Sequence, residues 1–343
     1  MKRKSVPLVF CLICSLGFVL KEKMSFTKYE LNLPKEVPPP IIPADNELSQ
    51  ERVKLGKMLF YDKILSSDRS ISCASCHSQE NSFGDNRKMS LGVKDAIGER
   101  NAMPLINLAW SNSFFWDGGV PTLELQVLKP LTDHNEMNMD IEEAVKRLNK
   151  NKNYSKLFMM AYGSKPDAST LVKAIACFER TLISFDSKYD RWRRNKGSGF
   201  ENSEIRGFYL FVGGKTHCFS CHSGKNFTNN SFQNNGLSRE YSDEGRFKIT
   251  ADQNDKGKFK VPTLRNIAMT APYMHDGSLK TLEDVVEHYN SGGKPHPNKS
   301  PHVHNNDSPP LTAEEKTDLI NFLKTLTDET FLNNPEFKPE VKK

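Results

Sequence analysis

Two short runs of the chain combine a cysteine pair with a histidine in the same order. These runs are Cys73-Ala-Ser-Cys76-His77 and Cys218-Phe-Ser-Cys221-His222, which lie 145 residues apart. In a Cys-x-x-Cys-His run, two thiols can add across the vinyl groups of one haem while the histidine binds its iron. Cys-x-x-Cys spacing also suits tetrahedral zinc, so a four-thiol zinc site is the alternative. Zinc needs no histidine at the same place twice, and we therefore predict two covalently attached haem c groups.

A longer repetition places the two motifs in equivalent units. Residues 107–124 repeat at 266–283 with a constant offset of 159 residues and no gap. The identical pairs are Asn107/Asn266, Ala109/Ala268, Asp117/Asp276, Gly118/Gly277, Thr122/Thr281, Leu123/Leu282 and Glu124/Glu283. Repetition on this scale predicts two copies of one haem-binding unit, so differences between the copies should mark function.

The second copy offers a further ligand for its haem. A capping box at Thr281 predicts a short helix. Its apolar stripe consists of Leu282, Val285, Val286 and Tyr289. The phenol of Tyr289 can bind ferric iron, whereas His288 is displaced by about 100° on the helical wheel. We predict Tyr289 as the second axial ligand, with Met274 as its rival. A core tyrosine without a bond to iron is the plain alternative.

The first copy has no donor at the matching position. Pro130 occupies the place of Tyr289, so the haem attached at Cys73 and Cys76 should have His77 on one side and an open position on the other. Glu136 follows the proline closely and Gln126 precedes it. Peroxide chemistry needs a group that takes a proton and returns it to the departing oxygen, and a desolvated glutamate can do both. A solvated surface acid is the alternative for Glu136.

Trp116 occupies the place that His275 holds in the second copy. An indole at that position could carry an electron between two haems. An aromatic side chain packed in a haem crevice fits the sequence equally well.

Length and charge limit the remaining possibilities. A chain of 343 residues has room for two domains of ordinary size. Its net charge of +6 owes +4 to residues 1–24, where five basic residues accompany one glutamate, so nucleic-acid binding gains no support. Basic residues followed by the apolar run 6–20 are typical of a secretory signal. We expect export to the periplasm, with an uncleaved membrane anchor as the alternative.

No segment shows convincing strand alternation, and the two haem motifs divide the chain. We therefore predict an all-α protein of two cytochrome c-like (class I) domains, each with one c-type haem. Residues 1–24 form the signal peptide and 25–46 an extended, proline-rich lead-in. An N-terminal peroxidatic domain spans 47–190, and a C-terminal electron-transfer domain spans 200–343. The final helix, 312–326, could pack back on the N-terminal domain. Helix starts are marked by Asp140 with Glu143 and by Thr312 with Glu315.

Beyond about Leu48, the chain resembles the bacterial dihaem cytochrome c peroxidases and their MauG-like relatives. The segments that carry the resemblance are Leu59-Phe60-Tyr61, the run from Ser72 to His77, Phe115-Trp116-Asp117-Gly118, Val261 to Asn266 and Ala271 to Gly277. The resemblance implies that Glu136, Gln126 and Pro130 form the distal pocket and that Trp116 lies between the haems. It also implies a calcium ion held by Asn101, Thr270 and Pro272.

Three departures from the family pattern refine the expected activity. Members of the peroxidase branch use methionine as the sixth ligand of the second haem, whereas this chain has Tyr289, as the MauG-like branch does. Residues 90–94 also lack the histidine that closes the peroxidatic iron in the peroxidase branch. Both departures favour a peroxidase that acts without reductive activation. Thr216 replaces the surface tryptophan of MauG-like enzymes that oxidise a protein substrate. The sequence therefore favours peroxide reduction with electrons from a soluble cytochrome c or cupredoxin. MauG-like protein oxidation and a non-catalytic dihaem carrier are the alternatives, and a homodimer is a family expectation.

Overall fold

Helices dominate residues 26–303 and 309–340, which are the parts of the chain that the computed structural model describes. In chain order the helices α1 to α12 are Gln50–Tyr61, Leu123–Thr132, Ile141–Lys150, Lys152–Tyr162, Ala168–Glu179, Lys188–Arg194, Asn202–Val212, Cys218–Cys221, Phe247–Thr250, Leu282–Asn290, Ala313–Lys324 and Glu329–Asn333. Strands β1 (Phe232–Gln233) and β2 (Phe259–Lys260) pair antiparallel. The largely helical fold agrees with the predicted class, although β1 and β2 were not foreseen. The predicted signal peptide lies outside the described residues.

Side-chain caps begin the helices where the sequence indicates. Asp140 accepts a hydrogen bond from the backbone N–H of Glu143 at 2.9 Å, and α3 follows. Thr312 and Glu315 bond reciprocally at the start of α11. Each cap satisfies N–H groups that would otherwise lack partners in the first helical turn, so these starts are set locally.

Two large hydrophobic cores lie along the described part of the chain, beside a small third cluster around Leu48, Val53 and Cys177. Each large core centres on one closely packed helix pair. The first core is built mainly from α1 to α5, and the second from α7, α10 and α11. Gly56 of α1 faces α5, where an added Cβ would lie 1.9 Å from the carbonyl oxygen of Ala174. Gly207 of α7 faces α11 in the same way, since a Cβ added there would lie 2.0 Å from the carbonyl oxygen of Asp318. The two units therefore use the same glycine-mediated helix contact.

We expect Gly56→Ala and Gly207→Ala each to lower the free energy of unfolding by about 1–3 kcal/mol, because the added methyl group meets a backbone oxygen that cannot rotate away. The measurement is denaturant unfolding of the purified protein. Gly214→Ala is the matched control, since a Cβ there meets no atom within 4 Å. Equal stabilities of all three variants would contradict the close-approach argument.

The internal repeat is also a structural repeat. Asn107 and Asn266 both adopt left-handed backbone conformations, with φ of 53° and 55°. The bridge between Phe114 and Val120 recurs between Tyr273 and Leu279 at the same offset. Equivalent backbone turns thus lead into α2 and α10, which makes Pro130 and Tyr289 equivalent in three dimensions.

The end of the chain packs differently from the expectation for residues 312–326. That helix stays in the second core, where Leu319, Phe322 and Leu323 are buried. The segment after it crosses to the first core through Phe331 and Phe337. The apolar stripe of α11 is covered by α7, so only the short segment beyond it remains to reach the other unit.

Candidate haem sites

The first motif lies at the wall of a large cavity in the first unit. Cys73, Cys76 and His77 all line it. The Nδ1–H of His77 donates to the carbonyl oxygen of Phe83 at 2.8 Å, which leaves Nε2 as the nitrogen able to bind iron. Burial lowers the pKa of His77, so the ring stays neutral, as a metal ligand must be.

The second motif repeats this arrangement in a second cavity. Cys218, Cys221 and His222 line its wall, and the Nδ1–H of His222 donates to the carbonyl oxygen of Phe227 at 3.0 Å. Phe83 and Phe227 both have positive φ angles, which turn their carbonyl groups toward the histidines. Two thiols and one oriented imidazole at each cavity fit one covalently attached haem apiece.

A shared zinc site does not fit this geometry. Across residues 26–303 and 309–340, no three His, Cys, Asp or Glu side chains are grouped so that they could hold a metal ion. The four motif cysteines are free and belong to two separate cavities. The zinc alternative is therefore wrong.

The distal wall of the first cavity is formed by α2 and the turn that follows it. Gln126, Pro130 and Glu136 all line the cavity. Two backbone hydrogen bonds hold the turn. The N–H of Met137 donates to the carbonyl oxygen of Pro130, and the N–H of Val93 donates to the carbonyl oxygen of Glu136. The side-chain oxygen of Gln126 is buried without a hydrogen-bond partner within the described part of the chain. A buried orphan acceptor is costly, so this amide is suited to a ligand in the cavity.

Glu136 has the electrostatics of an acid–base group. Its side chain is exposed toward the cavity, yet surrounding protein atoms desolvate it and raise the pKa of the carboxyl to about 7. The negative charge of Asp133 raises this pKa further, and Lys129 opposes the shift. A carboxyl that titrates near neutrality can both take and return a proton at working pH.

Both candidate axial ligands of the second haem line the second cavity. Tyr289 reaches it from α10, and Met274 from the preceding turn. Burial raises the pKa of Tyr289 to about 12. The side-chain amide of Asn235 donates to the sulfur of Met274 at 3.2 Å. His288 bonds the carbonyl oxygen of Asn235 at 2.9 Å and is not among the residues that line the cavity.

Trp116 lies in the wall that the two cavities share. Its indole N–H donates to the carbonyl oxygen of Asn101 at 2.8 Å, and its own carbonyl oxygen accepts from the N–H of Lys260 at 2.7 Å. His275, the equivalent residue, stacks on Phe259 with ring centroids 3.6 Å apart. The structure thus puts an oxidisable side chain between the two candidate haem sites.

The residues implied for calcium line the same cavity. Asn101, Thr270 and Pro272 line the second cavity near the shared wall. The side-chain amide of Asn101 donates to the carbonyl oxygens of Arg87 and Lys88, so its Oδ1 remains available as an acceptor. Amide and carbonyl oxygens are ligands that calcium prefers, and Asn101 Oδ1 is of that type.

Glu179 is a cavity residue that the sequence reasoning missed. It is 4% exposed, lines the first cavity, and has one carboxyl oxygen without a hydrogen-bond partner among the described residues. Burial raises the pKa of this carboxyl to about 8. The helical register could have indicated that Glu179 is buried, because it follows the buried Leu171 and Ile175 at intervals of four residues.

We expect Glu179 to make the protein less stable as pH rises. The unfolded carboxyl ionises above about pH 4.5 while the folded one stays protonated, so the free energy of unfolding should fall by about 1.4 kcal/mol per pH unit up to about pH 8. Glu179→Gln should remove this contribution. Unfolding measured at pH 5 and pH 8 tests this, with exposed Glu142→Gln as control. The same pH slope in wild type and Glu179→Gln would refute it.

Comparisons with known proteins agree with this geometry. Residues 50–198 match the family described as di-haem cytochrome c peroxidase. The chain is 37% identical to the methylamine utilization protein MauG of Methylorubrum extorquens, over 90% of this chain and 86% of that protein. It is 34% identical to the cytochrome c551 peroxidase of Nitrosomonas europaea, over 84% and 82% respectively.

A solved structure shows the same fold. The crystal structure of a MauG-like protein associated with microbial copper homeostasis superposes with a TM-score of 0.85 at 37% identity, covering 90% of this chain and 99% of that one. Sequence, fold and paired motif-lined cavities agree, and the chain belongs to the di-haem cytochrome c peroxidase family.

Proposed function

We propose that this protein is a periplasmic di-haem c-type peroxidase. It reduces hydrogen peroxide to water with two electrons from a small redox protein such as a cytochrome c or a cupredoxin. The observation that carries the proposal is the asymmetry between equivalent positions, with Pro130 at the first cavity and Tyr289 at the second. A proline side chain has no donor atom, so peroxide can bind at the first site.

The residues of the first cavity supply the acid–base chemistry. A bound haem supplies the iron at which the oxygen–oxygen bond breaks. Glu136 takes a proton from one peroxide oxygen and delivers it to the other, which leaves as water. Gln126 holds the peroxide by its side-chain amide. Two electrons and two further protons complete the conversion of one peroxide to two waters, and Trp116 provides the path between the sites.

We further propose that the oxidised enzyme accepts peroxide directly. Residues 90–94 contain no histidine, and this loop lies against the segment that bears Glu136. Gly92 allows that approach, because an added Cβ would lie 2.1 Å from the carbonyl oxygen of Asn135. Tyr289 would hold the second haem as a tyrosinate and would favour its ferric state.

Two experiments on the air-oxidised protein test this function. Stopped-flow mixing with hydrogen peroxide should change the haem spectrum without added reductant, and no change would refute direct acceptance. Electron paramagnetic resonance should show one high-spin and one low-spin haem per chain. Two low-spin haems would instead identify a non-catalytic electron carrier.

MauG-like oxidation of a protein side chain is the second candidate. The 37% identity to MauG and the placement of Tyr289 favour it. Thr216 argues against oxidation of a partner protein through a surface tryptophan at this position. Its side chain has no oxidisable ring, and its hydroxyl donates to the carbonyl oxygen of Leu210 at 2.6 Å. Peroxide-dependent crosslinks in a partner protein, without turnover of a small donor, would identify this activity.

Location and calcium belong to the same proposal. No helix within residues 26–303 or 309–340 has the length and apolarity needed to cross a membrane. We propose export through the signal at residues 1–24, a calcium ion at Asn101, Thr270 and Pro272, and a homodimer. Metal analysis before and after chelation tests the calcium site, and light scattering tests the dimer.

A further inference from the structure

Lys260 is a buried cation at the wall between the two cavities. It is 6% exposed and lines both of them. Its ammonium donates to Asn230 Oδ1 at 2.9 Å, to Ser113 Oγ at 3.2 Å and to Asn112 Oδ1 at 3.5 Å. All three partners are neutral, and no ion pair in the described part of the chain includes this lysine.

An isolated charge in such a place is unfavourable. Buried ammonium groups in proteins are normally paired with an anion, because desolvation of the charge is unfavourable without a counter-charge. A second cation increases the imbalance, since Arg246 stacks on the Phe232 ring at 4.4 Å and the Lys260 ammonium lies 5.9 Å from the same ring. Burial, together with Arg246, lowers the pKa of Lys260 to about 8. The surroundings therefore call for a negative group.

The hydrogen-bond partners indicate on which side that group lies. Ser113 and Asn230 line the first cavity and are not among the residues that line the second. The ammonium is therefore directed to the first cavity, beside Trp116, whose carbonyl oxygen the Lys260 backbone binds. A haem c in that cavity brings two propionate carboxylates.

We propose that the ammonium of Lys260 binds a propionate of the haem in the first cavity and raises the reduction potential of that haem. A fixed cation near the iron stabilises the reduced form, which carries one positive charge fewer. The proposal rests on the proposed function only in requiring a haem at this site. Its measurement involves no peroxide, so each can fail while the other stands.

The test is a spectroelectrochemical titration of the intact di-haem protein. Lys260→Met should shift the reduction equilibrium of the first haem at least tenfold toward the ferric form, equal to about 59 mV for a one-electron couple. Lys260→Arg should shift it by less than threefold. The second haem is the internal control, because the ammonium is directed away from it. A Lys260→Met protein with both haems and wild-type potentials overturns the proposal.

A second readout applies if Lys260→Met does not fold. In resonance Raman spectra, the propionate bending band of the first haem should move in Lys260→Arg, because a guanidinium binds a carboxylate through two parallel bonds. A band identical to that of the wild type would also overturn the proposal, since it would show that no propionate contacts this side chain.

Discussion

Glu136→Gln should abolish most peroxide turnover while leaving both haems attached. The amide has the size of the carboxyl but cannot accept and return a proton, so we expect the rate of reaction with peroxide to fall by about 100- to 10,000-fold. Stopped-flow kinetics on the diferric protein measure this rate. Exposed Glu80→Gln, in the same unit, should leave it unchanged. Wild-type kinetics in Glu136→Gln would remove the acid–base role.

The pH profile gives the same hypothesis a second test. The wild-type rate should rise as pH increases through about 7, because only the ionised carboxylate of Glu136 can take the proton from peroxide. Asp133→Asn removes a negative charge that raises this pKa, so the rising limb should move to lower pH. If Glu136 has only a structural role, the pH profile of Asp133→Asn should equal that of the wild type.

Tyr289→Phe should convert the second haem from low spin to high spin. The phenyl ring lacks the oxygen that could bind iron, so the low-spin resonance should disappear and the high-spin signal should grow from one haem per chain to two. Met274→Leu is the matched control, because Met274 lines the same cavity and carries the rival donor. Its spectrum should equal that of the wild type.

The opposite result would reassign the ligand. Loss of the low-spin signal in Met274→Leu and its retention in Tyr289→Phe would identify the thioether as the ligand. The second haem would then resemble that of the peroxidase branch, and acceptance of peroxide without prior reduction would lose its electronic basis.

Local chemistry explains what the sequence predicted well. The caps at Asp140, Thr281 and Thr312 act within one helical turn, so four residues suffice to place each helix start. The motifs and the 159-residue repeat likewise need no knowledge of tertiary contacts. The repeat alone aligned Pro130 with Tyr289, and the structure puts both at cavity walls.

Long-range packing explains what the sequence did not predict. The apolar stripe of α11 does not by itself show whether the helix packs against α7 or against the other unit. Packing against α7 depends on the close approach at Gly207. Lys260 sits in a strand of two residues, too short to show alternation. Its burial depends on segments about 30 and 150 residues away in the chain.

The aromatic pair that follows α11 also supports the first site. Phe331 and Phe337 pack against the ring of Phe83 at 5.7 and 6.0 Å, and the carbonyl group of Phe83 orients His77. These rings follow His77 by roughly 250 residues in the chain, yet they pack against the residue whose carbonyl group orients it. Truncation after residue 326 should therefore disturb the first cavity, although the break lies in the second unit.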